Sequence, residues 1–482
     1  MITLAVVPIL IQAGQAVLPS ILACSATVFA MIVRPSEWLR MCREKPAATA
    51  LVIAGIFLAS WGGFVFGHRK EGRSGAGADW SEVAREVLRR EQIDASRAGI
   101  DEAPRNLRLA WEFKRPGASF LSSPVSNAGR IYGASCQVDV GGTFGSIFCL
   151  DTATGRLIWE VEKIDGQDLK GIFSSPAITA DGRYVIIGEG LHSDAECHFI
   201  CLDALTGKLH WKTDAPKNHI ESSPAILGDI AVVGAGGIER SDHLPVESPG
   251  YVLCVRISDG HVLWRREVTD PESSPALSPD GVTYIGSGIS GCAVVALDAS
   301  GKQIWKTPTP YPGTGSVSLT SDLAVAGCGE GDFINAAAHP AGVVLALEQS
   351  TGRIRWQTAF PDAVLGHLTI GDGKIFCPLR DGTVVALDVE DGKIVWRQRL
   401  GDAPVLAGTA RSGDLLYAVS SDGFLAILDA QSGRLIEKHA LNDEANPGRQ
   451  NLCLSTPLVS DGRVFVGSET GGLRCFAGTA DR

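Results

Sequence analysis

Three stretches of this chain set histidine among carboxylates within a few residues. His192, Asp194 and Glu196 form the first, Glu239, Arg240, Asp242, His243 and Glu247 the second, and Glu330, Asp332, Asn335 and His339 the third. Imidazole nitrogen and carboxylate oxygen together suit several divalent ions. His192, Asp194, His243, Asp332 and His339 are therefore the metal-ligand candidates. The plainer reading is that long surface loops are polar whatever they bind, and the expectation is no metal and no cofactor. A fourth set is tighter. His219 and Glu221 run into Ser222-Ser223-Pro224, and Glu272 runs into Ser273-Ser274-Pro275. Carboxylates converging there would take a cation or a basic peptide, unless they only tie neighbouring loops together. Glu221, Glu272, His219, Glu239, Arg240, Asp242 and Glu330 make up the expected partner-binding face. Covalent catalysis has little to start from, because no Gly-x-Ser-x-Gly elbow, phosphate loop or Cys-x-x-Cys pair occurs.

A repeat positions these residues. Leu-Asp, then Gly, then Trp recurs as Leu150-Asp151…Gly155…Trp159, Leu202-Asp203…Gly207…Trp211, Leu297-Asp298…Gly301…Trp305 and Leu387-Asp388…Gly392…Trp396. Val255…Gly260…Trp264 and Leu347-Glu348…Gly352…Trp356 are close variants. A seventh copy, Leu428-Asp429…Gly433, has Glu437 in place of Trp, and Trp111 stands alone upstream. Successive intervals from Trp111 to Glu437 are 48, 52, 53, 41, 51, 40 and 41 residues. A period of about 40–50 residues built from short strands means a propeller or a similar array.

A second phrase falls midway in each unit: Ser122-Ser123-Pro124, Ser174-Ser175-Pro176, Ser222-Ser223-Pro224, Ser273-Ser274-Pro275 and Ser455-Thr456-Pro457. Degenerate forms at Gly315-Ser316, Gly366-His367 and Gly408-Thr409 bring the total to eight. Asp-Gly turns such as Asp181-Gly182 and Asp461-Gly462 separate apolar runs and signal hairpins. Each unit reads as four antiparallel strands: Ser-Ser-Pro first, a Gly-ended apolar run second, the Leu-Asp run third and the Trp run last. The Trp fills the space between blades, burying about 150–250 Å². Ser455 to Phe476 supplies three strands of a last blade, and the strand holding Trp111 supplies its fourth, leaving no free edge. The predicted fold is all-β, an eight-bladed propeller of four-stranded blades over 105–478, closed by an N-terminal strand. Loops between blades and loops joining second to third strands share one face. The latter read as long in blades 1, 2, 3 and 5.

Residues 3–33 and 48–67 carry no charge and are long enough to cross a bilayer. Residues 1–67 are thus expected to be a membrane anchor of two transmembrane helices. Arg34, Arg40, Arg43 and Lys45 lie between the spans and favour a cytoplasmic loop with the propeller outside, whereas Arg69, Lys70 and Arg73 pull the other way. Residues 68–104 read as a linker with one amphipathic helix, capped by Asp79 and carrying Trp80, Val83, Val87 and Leu88 on one face. The net charge of −11 excludes duplex nucleic acid as a natural partner. Of the 12 cysteines, Cys149, Cys201 and Cys254 hold one third-strand slot that Ala296, Ala346 and Ala386 fill elsewhere, so the slot wants a small buried residue. Buried free thiols are expected rather than bridges.

The two phrases in register resemble the pyrroloquinoline-quinone-type propeller repeat over residues 105–478. That resemblance implies one of two functions. The enzyme branch comprises quinone-dependent dehydrogenases with quinone and calcium in the channel. Their vicinal cysteine pair has no counterpart here. The scaffold branch resembles the outer-membrane assembly-factor B lipoproteins and is non-catalytic. The expectation is therefore a membrane-anchored, non-catalytic propeller that binds protein or peptide at the cell envelope. The alternative is a quinone-dependent oxidoreductase.

Overall fold

The computed structural model describes residues 103–237, 250–442 and 452–478. The expected membrane spans, the 79–88 helix and the candidates Glu239, Arg240, Asp242, His243 and Glu247 lie outside the described residues.

Among the described residues, eight antiparallel sheets form successive blades, each joined in strand order from inside to outside, and a two-stranded ribbon pairs Lys163–Ile164 with Gln167–Asp168. Blade 2 is representative, with strands Ala177–Ile178, Tyr184–Gly188, Cys197–Asp203 and Leu209–Ala215. The last sheet draws on both ends of the described chain: Arg108–Phe113 pairs with Gly472–Ala477, Trp111 lying opposite Cys475. The predicted closure is thus observed. Buried aliphatic side chains on the second and third strands fill the gaps between blades, as with Val233, Leu253 and Val255 against Ile186 and Phe199.

The small third-strand slot has a direct cause. Its residue sits opposite the tryptophan across the ladder: Cys149 faces Trp159, Cys201 faces Trp211, and Ala346 faces Trp356. Each indole then reaches the next blade. The seven Nε1 atoms donate to backbone carbonyls there over 2.6 to 3.1 Å. The ring lies flat on that blade's turn glycine. Gly260, at φ +72°, would place a Cβ 2.8 Å from the Trp211 ring, so both its conformation and its contact require glycine. The aspartate two residues after the slot caps the same turn. Asp203 Oδ1 accepts from Thr206 N and Oγ1 at 2.8 and 2.6 Å, which holds its carboxyl below the usual range.

Two expectations need adjustment. The Ser-Ser-Pro phrase is not the first strand but the segment just before it, and its serines bond from blade to blade. Thr456 N donates to Ser123 Oγ, Ser123 N to Ser175 Oγ, Ser175 N to Ser223 Oγ and Ser223 N to Ser274 Oγ, each at 2.9 Å. This arc ties five blades around the axis and gives the serines a structural role. In blade 1, the residues read as a long loop instead extend a hairpin, Arg130–Asp139 with Gly142–Asp151.

The described cysteines are all unbridged, and only Cys292 is partly open. Burial pushes the Cys136 and Cys254 thiols up to about 12, so they stay protonated and unreactive at neutral pH.

Candidate functional site

Sequence-distant candidates meet where blades 2, 3 and 4 adjoin. His192 comes from the loop between Tyr184–Gly188 and Cys197–Asp203, His219 and Glu221 from the crossover into blade 3, and Glu272 from the crossover into blade 4. The crossover into blade 3 is held in place because Asn218–His219 pairs with Gly236 and Gly237 as an extra rung. His219 Nε2 lies 3.0 Å from Gly237 O. A Cβ on Gly236 would come within 2.5 Å of that nitrogen, so glycine makes room for the ring.

The rings of His192 and His219 lie 4.7 Å apart. Glu272 Oε1 sits between them, 3.2 Å from His192 Nδ1 and 3.5 Å from His219 Nε2. Glu221 faces the opposite nitrogens: its Oε2 is 3.5 Å from His192 Nε2 and its Oε1 3.9 Å from His219 Nδ1. Glu221 Oε1 also accepts from His192 N at 3.1 Å. Glu221 therefore ties the blade 2 loop to the crossover into blade 3.

Burial sets the charges here. His219 has no exposed surface, and its pKa is lowered to about 4 by desolvation, with His192 adding to the effect. It is a neutral imidazole at pH 7. Burial works against ionisation of Glu272, yet the adjoining His192 ring, with His219 beside it, brings it net below the ordinary glutamate value. Asp270 moves the other way, up to about 7, through burial and the neighbouring Glu272 carboxylate. Near neutrality Glu272 therefore carries a full negative charge, while Asp270 is close to half protonated.

The other candidates do something else. Asp194 Oδ2 accepts from Thr143 Oγ1 at 2.6 Å and from Leu191 N at 2.9 Å, clamping the blade 1 hairpin to the blade 2 loop. Asp332 caps its own loop through Ile334 N and Asn335 N at 2.7 and 2.5 Å. Buried Arg380 pins that loop by donating to Asp332 O and Ile334 O. His339 is exposed on the same loop, and Glu330 begins it. Neither belongs to the cluster formed by His192, His219 and Glu272. Sequence reasoning missed Asp270, although a signal existed: Asp270 stands three residues before Ser273 as His219 stands three before Ser222. It also missed the buried Glu189, which binds His198 Nδ1 and accepts from Lys170 N at 2.9 Å.

The family model described as outer membrane protein assembly factor BamB matches residues 103–284, 143–346 and 290–481. The chain belongs to that family. Among relatives, a polyvinylalcohol dehydrogenase from a Pseudomonas species is 24% identical over 433 residues, which cover 78% of this chain and 62% of that protein. The outer membrane protein assembly factor BamB of Xanthomonas campestris pv. campestris is 25% identical over 361 residues, covering 73% of this chain and 80% of the relative. The crystal structure of BamB from Moraxella catarrhalis superposes with a TM-score of 0.55 at 16% identity, covering 78% of this chain and 99% of that one. That likeness shows a shared propeller fold.

Proposed function

We propose that this chain is a non-catalytic scaffold whose loop face docks a protein partner. In this reading residues 1–67 tether it to the plasma membrane and the propeller faces the cell envelope. One observation carries the docking face. The tip of the extended blade 1 hairpin and the loops joining second to third strands in blades 4 and 5 raise Val138 and Val140, Ile289, and Ile334 into solvent. By strand order these loops open at the same end of the wheel as His192, Glu221 and Glu272. Other exposed apolar residues, such as Ile304 and Val395, lie on outer strands. Apolar tips around a charged centre have the composition of a recognition surface. The assembly-factor relative supports the same reading, since the match spans 80% of it but only 62% of the dehydrogenase.

The quinone-dependent alternative rests on the dehydrogenase relative. The donor set on this face does not fit its cofactor pair. Calcium takes six to eight oxygen ligands, whereas the cluster offers two imidazoles, and the sequence contains no adjacent cysteines to stack on a quinone.

The test places a photo-crosslinking residue at Val140 or Ile334 of the full-length protein in native membranes. Leu205, an exposed residue in the turn at the opposite end of blade 2, serves as control. The same partner band is expected from Val140 and Ile334 and none from Leu205. Absence of any band, or equal bands at all three positions, refutes the docking face. Retention of pyrroloquinoline quinone with calcium, together with reduction of a redox dye, replaces the reading with the enzymatic one.

A further inference from the structure

We propose that His192, His219 and Glu272 form a binding site for a divalent transition metal of the zinc class. The site stands independently of partner docking. Its first support is geometric. Zinc bonds to His nitrogen and carboxylate oxygen are about 2.0–2.2 Å, so tetrahedral ligand atoms lie roughly 3.3–3.5 Å from one another. Glu272 Oε1 is 3.2 Å from His192 Nδ1 and 3.5 Å from His219 Nε2. All three donor atoms lie within 4.8 Å of one another, so a small inward turn of the two rings completes the triangle. Water takes the fourth position, because His192 keeps the site open: its side chain is 40% exposed while those of His219 and Glu272 are 0% and 12%.

The second support is the state of the donors. Glu272 Oε1 is sealed from solvent and accepts no hydrogen bond of normal geometry, although two imidazole nitrogens adjoin it. A buried acceptor in that condition is costly unless something fills its coordination. His219 Nδ1 is likewise buried and makes no hydrogen bond among the described residues.

The third support is the carboxylate behind the rings. Metal-bound imidazoles usually present their other nitrogen to a carboxylate or a carbonyl. Glu221 lies on that far side of both rings, 3.5 Å from His192 Nε2 and 3.9 Å from His219 Nδ1. Without metal, His219 Nε2 donates to Gly237 O. Metal binding moves that proton from Nε2 to Nδ1, which then donates toward Glu221. The ring stays neutral and the charge balance is carried by Glu272. Glu221 is thus a positioning residue and not a ligand. Two nitrogens with one carboxylate favour zinc, cobalt or nickel over calcium or magnesium, which prefer oxygen.

The experiment uses full-length protein in detergent, stripped with a chelator and titrated with Co²⁺. One equivalent is expected to produce the visible bands of a four-coordinate cobalt site, and one equivalent of Zn²⁺ should erase them. His192→Ala and Glu272→Gln should each weaken Zn²⁺ binding about 100-fold, and Glu221→Gln about 10-fold. Asp203→Asn, in a turn at the other end of blade 2, should leave binding unchanged. Because core variants can misfold, thermal unfolding is followed in parallel: Zn²⁺ should raise the midpoint of the wild type and not that of folded His192→Ala, whose loop side chain is partly exposed. Absence of cobalt bands in the wild type, or bands and Zn²⁺ stabilisation that persist in His192→Ala, overturns the proposal.

Discussion

Seven seams between blades are closed by tryptophan, and one, between blades 7 and 8, is closed by Glu437. At a tryptophan seam the indole lies on the next blade's turn glycine and donates to the carbonyl beside it, as Trp211 does with Gly260 and Ile257 O. Blade 8 has no such turn. Its third strand, Gly472–Ala477, pairs instead with Arg108–Phe113 from the other end of the propeller. The incoming chain brings amide groups to the seam, and Glu437 receives them: Asn106 N donates to Oε1 at 2.5 Å and Leu107 N to Oε2 at 3.1 Å. Tyr417 adds a hydroxyl donated to Pro104 O at 2.7 Å. The slot opposite changes with it, since Ile427 faces Glu437 where Cys or Ala faces each Trp. Tryptophan is therefore not a feature of the fourth strand as such. It belongs to a pair with the following turn, and it disappears where the chain ends remove that turn.

The comparison predicts the largest loss at a tryptophan seam. Trp211→Ala removes a buried indole and its hydrogen bond, and should cost ~3–5 kcal/mol in urea unfolding. Glu437→Trp should not stabilise the protein, because Ile427 blocks the ring and no glycine waits for it. A gain in unfolding midpoint from Glu437→Trp would break the pairing argument. The slots give a reciprocal pair of smaller effects. Ile427→Ala opens a cavity under a seam without an indole and should cost ~2–4 kcal/mol. Ala346→Ile forces three heavy atoms beneath Trp356 and should cost ~1–3 kcal/mol through overpacking. Equal tolerance of isoleucine at both slots, measured by urea midpoints, would show that the opposing residue does not set slot size.

Much of this architecture was readable from sequence because each repeat residue does one local job many times. Gly260 must take a left-handed turn, Asp203 must cap it, and Trp211 must cover it, so type and spacing betray function. The departure at Glu437 was equally visible, but its cause was not, since the Asn106 and Leu107 amides that it binds are over 300 residues away in the chain. The Ser-Ser-Pro phrase was misplaced by a few residues for a related reason. Its serines are chosen for bonds to neighbouring blades, as between Ser123 N and Ser175 Oγ, and not for pairing within their own sheet. The candidate site was half legible. Glu221 and Glu272 each stand one residue before their serines, as His219 and Asp270 each stand three before, and the rotation from blade to blade turns these registers into proximity. His192 joins them from a loop whose other acid, Asp194, looked identical in composition. What separates the two is that Thr143, on a hairpin of the preceding blade, captures Asp194. Polarity alone cannot distinguish a loop-capping aspartate such as Asp332 from one facing a site.

The smallest predicted effect sharpens the comparison through pH. Burial would raise the Glu437 pKa, but the Asn106 amide, His439 and the Leu107 amide together hold it below the ordinary glutamate value. A carboxylate depressed in the folded state adds stability that is fully present above its unfolded pKa, near 4.5, and is lost as pH falls through the folded value. No tryptophan seam can contribute in this way, since an indole does not titrate. Glu437→Gln keeps a carbonyl acceptor for one amide and removes the charge. At pH 7 it should cost ~1 kcal/mol, a figure kept small because charge-assisted hydrogen bonds near the surface are screened. Below pH 4 the deficit should shrink toward zero, because the wild-type carboxyl becomes protonated as well. Urea midpoints of the two proteins between pH 7 and pH 3 measure the difference directly, with titrating groups remote from Glu437 and its partner His439 cancelling. Hydrogen exchange at Leu109 and Trp111 locates it, since the strand that closes the wheel should open more readily in the wild type as its glutamate is neutralised. A deficit that stays constant with pH would mean that Glu437 closes its seam by shape alone, as the tryptophans do.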